Sequence, residues 1–129
     1  MTARNVLGGE LQECGTDPVT GFTRSGSCEV TAEDIGNHGI CAVMTQEFLA
    51  HQAQLGNDLV TPHPEWNFAG LTPGDRWCVV AIRWLQSAHA GRGAPVVLAS
   101  THEAVLQVVP LELLRLHASD VPDDPSSLL

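Results

Sequence analysis

The chain has 129 residues, of which 43% are hydrophobic and 16% are charged, so its size and composition are those of one globular domain. Fifteen carboxylates against six arginines give a net charge of −9, which disfavours nucleic acid or an anionic membrane as a partner. No apolar run has the length of a membrane span and residues 1–9 lack a signal-peptide pattern, so we expect a cytoplasmic protein.

The first third of the chain is rich in turn residues. Residues 5–7 and 10–13 flank Gly8-Gly9, which predicts a tight hairpin of two short strands. Residues 15–21 combine Asp-Pro with two glycines and predict a loop.

The clearest junction lies between residues 38 and 59. Residues 39–44 are apolar and short, as expected of a buried strand. Thr45 is a favourable N-cap and Gly56 a favourable C-terminal stop, so we predict a helix between them.

A long connection and a second strand follow. Residues 56–74 contain three prolines and no hydrophobic period, which predicts an ordered loop packed over the core through its aromatic residues. Residues 76–83 predict a strand that is covered on both faces, and residues 84–90 a short helix.

The last part of the chain contains one ambiguous segment. Residues 96–101 predict a strand, whereas 102–109 fit either a strand, which we favour, or a helix capped by Ser100. Pro110 opens a final helix over 111–118. We therefore predict one α+β domain over 1–118, with a mixed or antiparallel sheet and two to four short helices, and a flexible acidic tail over 119–129.

The four cysteines are Cys14, Cys28, Cys41 and Cys78, and their wide spacing in a cytoplasmic chain predicts free thiols. His38 and Cys41 could ligate zinc together with Cys28 and Cys14. Residues three apart on a strand point to opposite faces, however, and no C-x-x-C motif is present. We therefore predict no metal site and no cofactor.

A thiol nucleophile is a second hypothesis for the same residues. Cys41 or Cys28 could react as a thiolate if His38 or an arginine lowers the thiol pKa. The alternative is that these cysteines only fill the core.

Scarce cations indicate a third kind of site. The arginines at the ends of the predicted strands could clamp an anion, or they could pair with aspartates. We hypothesise an anion pocket near His38 and Cys41, roofed by residues 57–70. The candidate ligand-binding residues are Arg24, Arg76, Arg83, Asp58, Trp66 and His102.

A series of ordered motifs carries a resemblance to a known family. They are Asn5-Val6-Leu7-Gly8, Thr16-Asp17-Pro18, Thr20-Gly21-Phe22, Arg24, Cys28, Asp34, His38, Cys41-Ala42, Thr45, Glu47-Phe48-Leu49, Gly56-Asn57-Asp58-Leu59, Pro73-Gly74-Asp75-Arg76-Trp77-Cys78, Arg83-Trp84, Pro95-Val96-Val97-Leu98 and Thr101-His102-Glu103. Over about residues 5–118 the chain resembles the bacterial domain-of-unknown-function family 2237. It departs from the family at Trp66-Asn67 and Val79-Val80. The resemblance supports the fold and implies no reaction.

The sequence leaves open whether the chain is an enzyme and what its oligomeric state is. We favour a small non-catalytic module that binds a small molecule, an anion being one option, or a protein. The alternatives are a thiol-dependent enzyme that uses a Cys/His/Arg site and a metal-stabilised structural domain.

Overall fold

Two short antiparallel strands form the centre of the fold. The computed structural model describes residues 3–120, and in it β1 (Ile40–Val43) pairs with β2 (Arg76–Val79). The α-helices of this range are α1 (Gln46–Gln54), α2 (Ala81–His89) and α3 (Leu111–Leu116). The predicted α+β class is confirmed, with an antiparallel sheet and three short helices.

The two faces of the sheet are covered by different clusters. Ile40, Ala42, Trp77 and Val79 join the main apolar core, in which Phe48, Trp84, Leu98 and Leu114 are buried. Cys41 and Cys78 belong to a second buried cluster on the opposite face. Alternation along each strand separates these two sets of side chains.

α1 begins where the sequence predicts. The Thr45 hydroxyl accepts a hydrogen bond from the Phe48 backbone N–H at 3.0 Å, which satisfies a donor that the first helical turn leaves free. Gly56 has φ 87° just after the helix, a conformation that a side chain would strain. The helix buries Phe48, Leu49 and Gln52.

The predicted strand over 76–83 is too long. β2 ends at Val79 and α2 begins at Ala81, three residues before the predicted start. The helix buries Ala81, Trp84 and Ser87 on one stripe. The indole N–H of the fully buried Trp84 donates to the Ala94 carbonyl at 2.9 Å, which satisfies its only donor.

The predicted strands over 96–101 and 102–109 are wrong. Within these segments only isolated bridges form: Val96 bridges Ala42 and Ala118, and His102 bridges Asn5. Between them the chain forms a 3₁₀ turn over Leu98–Ser100. A second 3₁₀ segment covers Glu103–Gln107, so the helical alternative was nearer to the structure. Its cap is His102 rather than Ser100.

Both ends of the described range contact residues 98–102. Residues 5–7 and 10–13 form a turn with one antiparallel bridge, Arg4 to Glu10, rather than a regular hairpin. α3 follows Pro110 as predicted. The Asp120 carboxylate accepts the backbone N–H groups of Leu98 and Ala99, whereas the predicted tail beyond it lies outside the described residues.

The loop over 56–74 contains a 3₁₀ turn over Pro64–Trp66 and an antiparallel bridge between His63 and Phe68. Phe68 packs against the core as predicted, whereas Trp66 is exposed. Within residues 3–120, no helix combines the length and hydrophobicity needed to cross a membrane.

Two buried threonines complete the hydrogen bonding of the sheet. The Thr20 hydroxyl accepts the backbone N–H of Cys78 at 2.8 Å. The Thr101 hydroxyl accepts the N–H of Cys41 at 3.2 Å and donates to the Val97 carbonyl at 2.8 Å. Both threonines are fully buried, so no water can replace them.

We predict that Thr20→Val and Thr101→Val each lower the free energy of unfolding by about 1–3 kcal/mol, because each leaves a buried N–H without an acceptor. Thr20→Ser and Thr101→Ser, which keep the hydroxyl, should lose less. Urea denaturation measures the difference, and equal losses in the valine and serine variants would contradict the prediction.

Candidate functional site

The four cysteines form two disulfides, so the prediction of free thiols is wrong. Cys14 bonds to Cys41 and Cys28 to Cys78. All four side chains are at most 2% exposed, and the Sγ atoms of Cys14, Cys28 and Cys78 lie within 4.8 Å of one another. The disulfides tie the N-terminal segment to both strands of the sheet.

The candidate nucleophiles Cys41 and Cys28 are consequently not thiolates in this structure. His38 bonds to Asp34 instead: its Nδ1 lies 2.6 Å from the Asp34 Oδ1, and its backbone N–H donates to the Asp34 Oδ2 at 2.8 Å. The Asp34 side chain is buried and His38 is one-third exposed. A buried carboxylate therefore fixes the orientation of this imidazole.

Arg24 lies over the Trp77 ring, whereas His38 and Cys41, which the pocket hypothesis placed beside it, do not line the cleft described below. The guanidinium carbon of Arg24 lies 4.9 Å from the centre of the Trp77 ring, and the Phe68 ring meets Trp77 edge-on at 5.3 Å. One guanidinium nitrogen of Arg24 donates to the Gly21 carbonyl at 3.0 Å. Phe68 thus brings the long loop to the ring that Arg24 covers.

A cleft of about 230 Å³ opens beside these rings and is called the Trp77 cleft below. One wall is the turn of Asp17, Pro18 and Val19, the other is the loop over residues 67–71, and Trp77 lies at its base. Trp77 is only 8% exposed. The cleft exposes polar and apolar surface in similar amounts, and Asp17 is the charged residue among those that line it.

Described residues also form three further grooves, one of which shares Asn67, Phe68 and Ala69 with the Trp77 cleft. They measure about 1010 Å³ between α1 and residues 90–95, 420 Å³ between α1 and residues 58–73, and 280 Å³ beside residues 62–69. Neither Trp77 nor Arg24 lines any of these three. Arg24 does not line the Trp77 cleft either, and it is connected to that cleft through Trp77, whose ring its guanidinium covers.

Arg76 and Arg83 lie apart from Arg24. Arg76 is exposed on β2, and alternation along the strand places it on the face of Cys78 rather than that of Trp77. Arg83 donates from its guanidinium to the Leu55 carbonyl at 3.3 Å, at the C-terminal end of α1. That position stabilises free carbonyls and the negative end of the helix dipole.

Asp58 and Trp66 make their contacts within the long loop. The Asp58 carboxylate accepts bonds from the Val60 and Thr61 backbone and from the Thr61 hydroxyl. The Thr61 hydroxyl bond contributes most to lowering the pKa of Asp58. Trp66 is 66% exposed and stacks on His63 at 4.6 Å, so it does not reach the Trp77 cleft wall.

His102 caps the 3₁₀ segment Glu103–Gln107. Its Nδ1 accepts the Ala104 backbone N–H at 3.0 Å, which requires that this nitrogen carry no proton. Burial lowers the pKa of His102, against a smaller opposing effect of the Glu103 and Glu29 carboxylates. The neutral ring is therefore the form that the fold stabilises.

The sequence reasoning missed two features of the site. It placed Cys41 and Cys78 on two strands but did not predict that they lie directly opposite each other in the sheet. It also read residues 15–21 only as turn chemistry, whereas Asp17, Pro18 and Val19 form a wall of the Trp77 cleft.

The fold and the site define a small α+β domain with a buried pair of disulfides and an aromatic cleft. A family model described as an uncharacterised protein conserved in bacteria, DUF2237, matches residues 4–118, and the chain belongs to this family. The curated proteins contain no match to the chain.

We predict that air-purified protein, denatured without reductant, takes up no alkylating label, and that prior reduction adds four labels, because both pairs are bonded. Intact-mass spectrometry counts the labels. Peptide mapping should find the pairs Cys14–Cys41 and Cys28–Cys78; any other pairing, or four labels without reduction, would contradict the structure.

We predict that His102 makes the protein less stable as the pH falls below about 6.5, the ordinary pKa of histidine. With its pKa lowered in the fold, the unfolded chain binds the proton first, so His102 contributes its stability above 6.5 and loses it as the pH falls through the lower folded pKa. Asn keeps a capping acceptor but does not titrate.

Urea midpoints of the wild type and His102→Asn between pH 8 and pH 5 measure this effect. The stability difference between the two proteins should be constant above pH 7 and shift in favour of the variant as the pH falls. A difference that is flat across the whole range would contradict the prediction.

Proposed function

We propose that the protein is a non-catalytic module that binds a small planar molecule carrying an anionic group. The observation that carries this proposal is the contact of both Arg24 and Phe68 with Trp77, whose ring borders a cleft that Phe68 also lines. Aromatic walls with one or a few oriented polar groups are the usual composition of a small-molecule site.

The aromatic residues supply the binding area. Trp77 is almost entirely covered by protein, and Phe68 is half-buried against it, so the two rings are held in place before any ligand enters. A flat apolar ring could insert between the Phe68 loop and the Pro18 wall with little loss of side-chain freedom.

Arg24 supplies the charge. Among residues 3–120 it has no carboxylate within salt-bridge distance, although the chain carries fifteen acids. Its guanidinium retains donors beyond the one bonded to Gly21. Asp17 at the other wall repels anions, so an anionic group would be directed toward Arg24.

The backbone of Arg24 supports a binding role. Its φ is 58°, a left-handed conformation that costs a side chain about 1–2 kcal/mol and that glycine adopts freely. A non-glycine residue held in this region is a reason to look for function. Here the conformation directs the guanidinium over Trp77.

The other expectations enter the proposal with less support. The net charge of −9 disfavours a nucleic-acid partner. A bacterial cytoplasmic location is also part of the proposal, and it requires the reduced form of the four cysteines, because stable disulfides are rare in that reducing compartment. A protein partner instead of a small molecule would use the same cleft. The thiol-dependent alternative has little support, since Cys41 and Cys28 are buried and bonded.

The test compares benzoate with neutral benzamide as probes. In ¹⁵N-labelled protein, benzoate should shift the Trp77 indole signal and the Phe68 amide, and calorimetry should show that it binds more tightly than benzamide. Arg24→Met should weaken benzoate binding about 10- to 100-fold, as expected for a lost charge-assisted bond, and leave benzamide binding nearly unchanged.

Arg115→Met is the matched control, because Arg115 is an exposed arginine on α3 and its loss changes the net charge equally. Arg24→Gly should also lose the benzoate preference without loss of stability. The proposal fails if benzoate does not shift the cleft signals, or if the preference for benzoate survives Arg24→Met.

A further inference from the structure

We propose that the four-sulfur cluster of Cys14, Cys28, Cys41 and Cys78 is a binding site for a thiophilic divalent ion, Zn²⁺, when both disulfides are reduced. This site lies on the face of the sheet opposite to Trp77 and does not depend on the function proposed above.

The backbone brings the four cysteines together from both sides. Cys41 and Cys78 are directly opposite each other on β1 and β2, so their side chains project from the same face of the sheet. Their backbone N–H groups bond to threonine hydroxyls rather than across the pair, which places Cys41 and Cys78 at a closely spaced, non-hydrogen-bonded position.

Cys14 and Cys28 come from the N-terminal segment that covers this face. Their Cα atoms lie 5.7 Å from that of Cys41 and 5.3 Å from that of Cys78, respectively. Two sulfurs thus come from the sheet and two from the segment above it. Two pairs of ligands from opposite sides can surround a tetrahedral ion.

Three of the four sulfurs lie near one another, and the fourth is bonded to one of them. Zn–S bonds of about 2.3 Å place the sulfurs of a tetrahedron roughly 3.8 Å apart. The Sγ atoms of Cys14, Cys28 and Cys78 lie within 4.8 Å of one another, and Cys41 is bonded to Cys14. Breaking two S–S bonds and rotating the side chains would therefore give a set of four ligands without a new backbone fold.

The environment favours a closed, structural ion rather than four buried thiols. The cluster is flanked by Val43 and Val97 and is at most 2% exposed at its cysteines, so an ion there would have no open position for water. Zn²⁺ would join the same chain segments that the disulfides join. Arg76, two residues before Cys78 on the same strand face, would partly offset the negative charge of four thiolates.

The redox balance requires a reductant, which we assign to the dithiol class found in reducing compartments. Each protein disulfide accepts two electrons and two protons from one dithiol, which becomes a disulfide, so two dithiols yield four cysteine thiols. Zn²⁺ then replaces up to four thiol protons, which are released to solvent. The four cysteines would thus join the chain segments through disulfides under oxidising conditions and through a bound zinc ion under reducing conditions.

The ligand set differs from the one that the sequence suggested. His38, whose Nδ1 is bonded to the buried Asp34, is not part of the cluster, and Cys78 takes its place. This difference supplies a control: His38→Ala should leave metal binding unchanged, whereas Cys28→Ser should impair it.

The experiment uses Co²⁺ as the optical probe on the full chain. Protein reduced with a phosphine, desalted without oxygen and titrated with Co²⁺ should develop the thiolate charge-transfer and tetrahedral ligand-field bands at one ion per chain. Added Zn²⁺ should displace the cobalt and raise the thermal midpoint of the reduced protein. The oxidised form of the same chain is the matched control and should show no such bands.

The proposal is overturned if the reduced chain, folded by circular dichroism, develops no thiolate bands. It is also overturned if the oxidised chain or the Cys28→Ser variant binds the ion with the same spectrum and stoichiometry. If the reduced chain is unfolded, titrated zinc should restore the native circular dichroism, and failure to do so likewise counts against the proposal.

Discussion

The need to pair the buried backbone groups of a two-stranded sheet determines much of this structure. Strands of four residues offer few hydrogen bonds to each other, and such a ribbon is marginal in water. Here irregular segments take the place of the missing strands. Val97 donates its N–H to the Cys41 carbonyl, and Val43 donates to Pro95. Two threonine hydroxyls supply the remaining acceptors for the cysteines of the pair.

The same strand alternation keeps the two candidate sites apart. Along β2, Trp77 points into the main core and borders the cleft, whereas Cys78 points into the sulfur cluster. Arg76 is exposed and lies on the same face of β2 as Cys78.

The sequence was informative where local chemistry decides the structure. The capping of α1 by Thr45, the stop at Gly56 and the start of α3 at Pro110 follow from hydrogen-bonding and conformational preferences of single residues. The segments 96–101 and 102–109 were misjudged because short apolar runs suit strands and helical turns equally. Val105 and Val109 are both buried and lie four residues apart, which is a helical spacing. Pro110 follows directly, so this pattern was too short to recognise.

The candidate site was only partly accessible to the same reasoning. That Phe68 would reach the second strand could be argued from its need for burial, and Arg24 was singled out because cations are scarce. The cysteine pairing could not be read from spacing, since four cysteines allow three connectivities. The contact of Arg24 with Trp77 depends on a left-handed residue in a turn, which no periodicity reveals.

The side chain of Asn5 has a consequence for how the protein is made. Its amide nitrogen donates to the carbonyls of Glu10 and of Ala99, which is 94 residues away in the chain, and its oxygen accepts the N–H groups of Leu7 and Gly9. Thr101 likewise completes a bond to Cys41 across 60 residues. A ribosome must therefore release nearly the whole domain before its first buried residue finds its partner. The bonds that hold the N-terminal segment, with its two cysteines, against the sheet can therefore form only late in synthesis, after residue 101 has emerged.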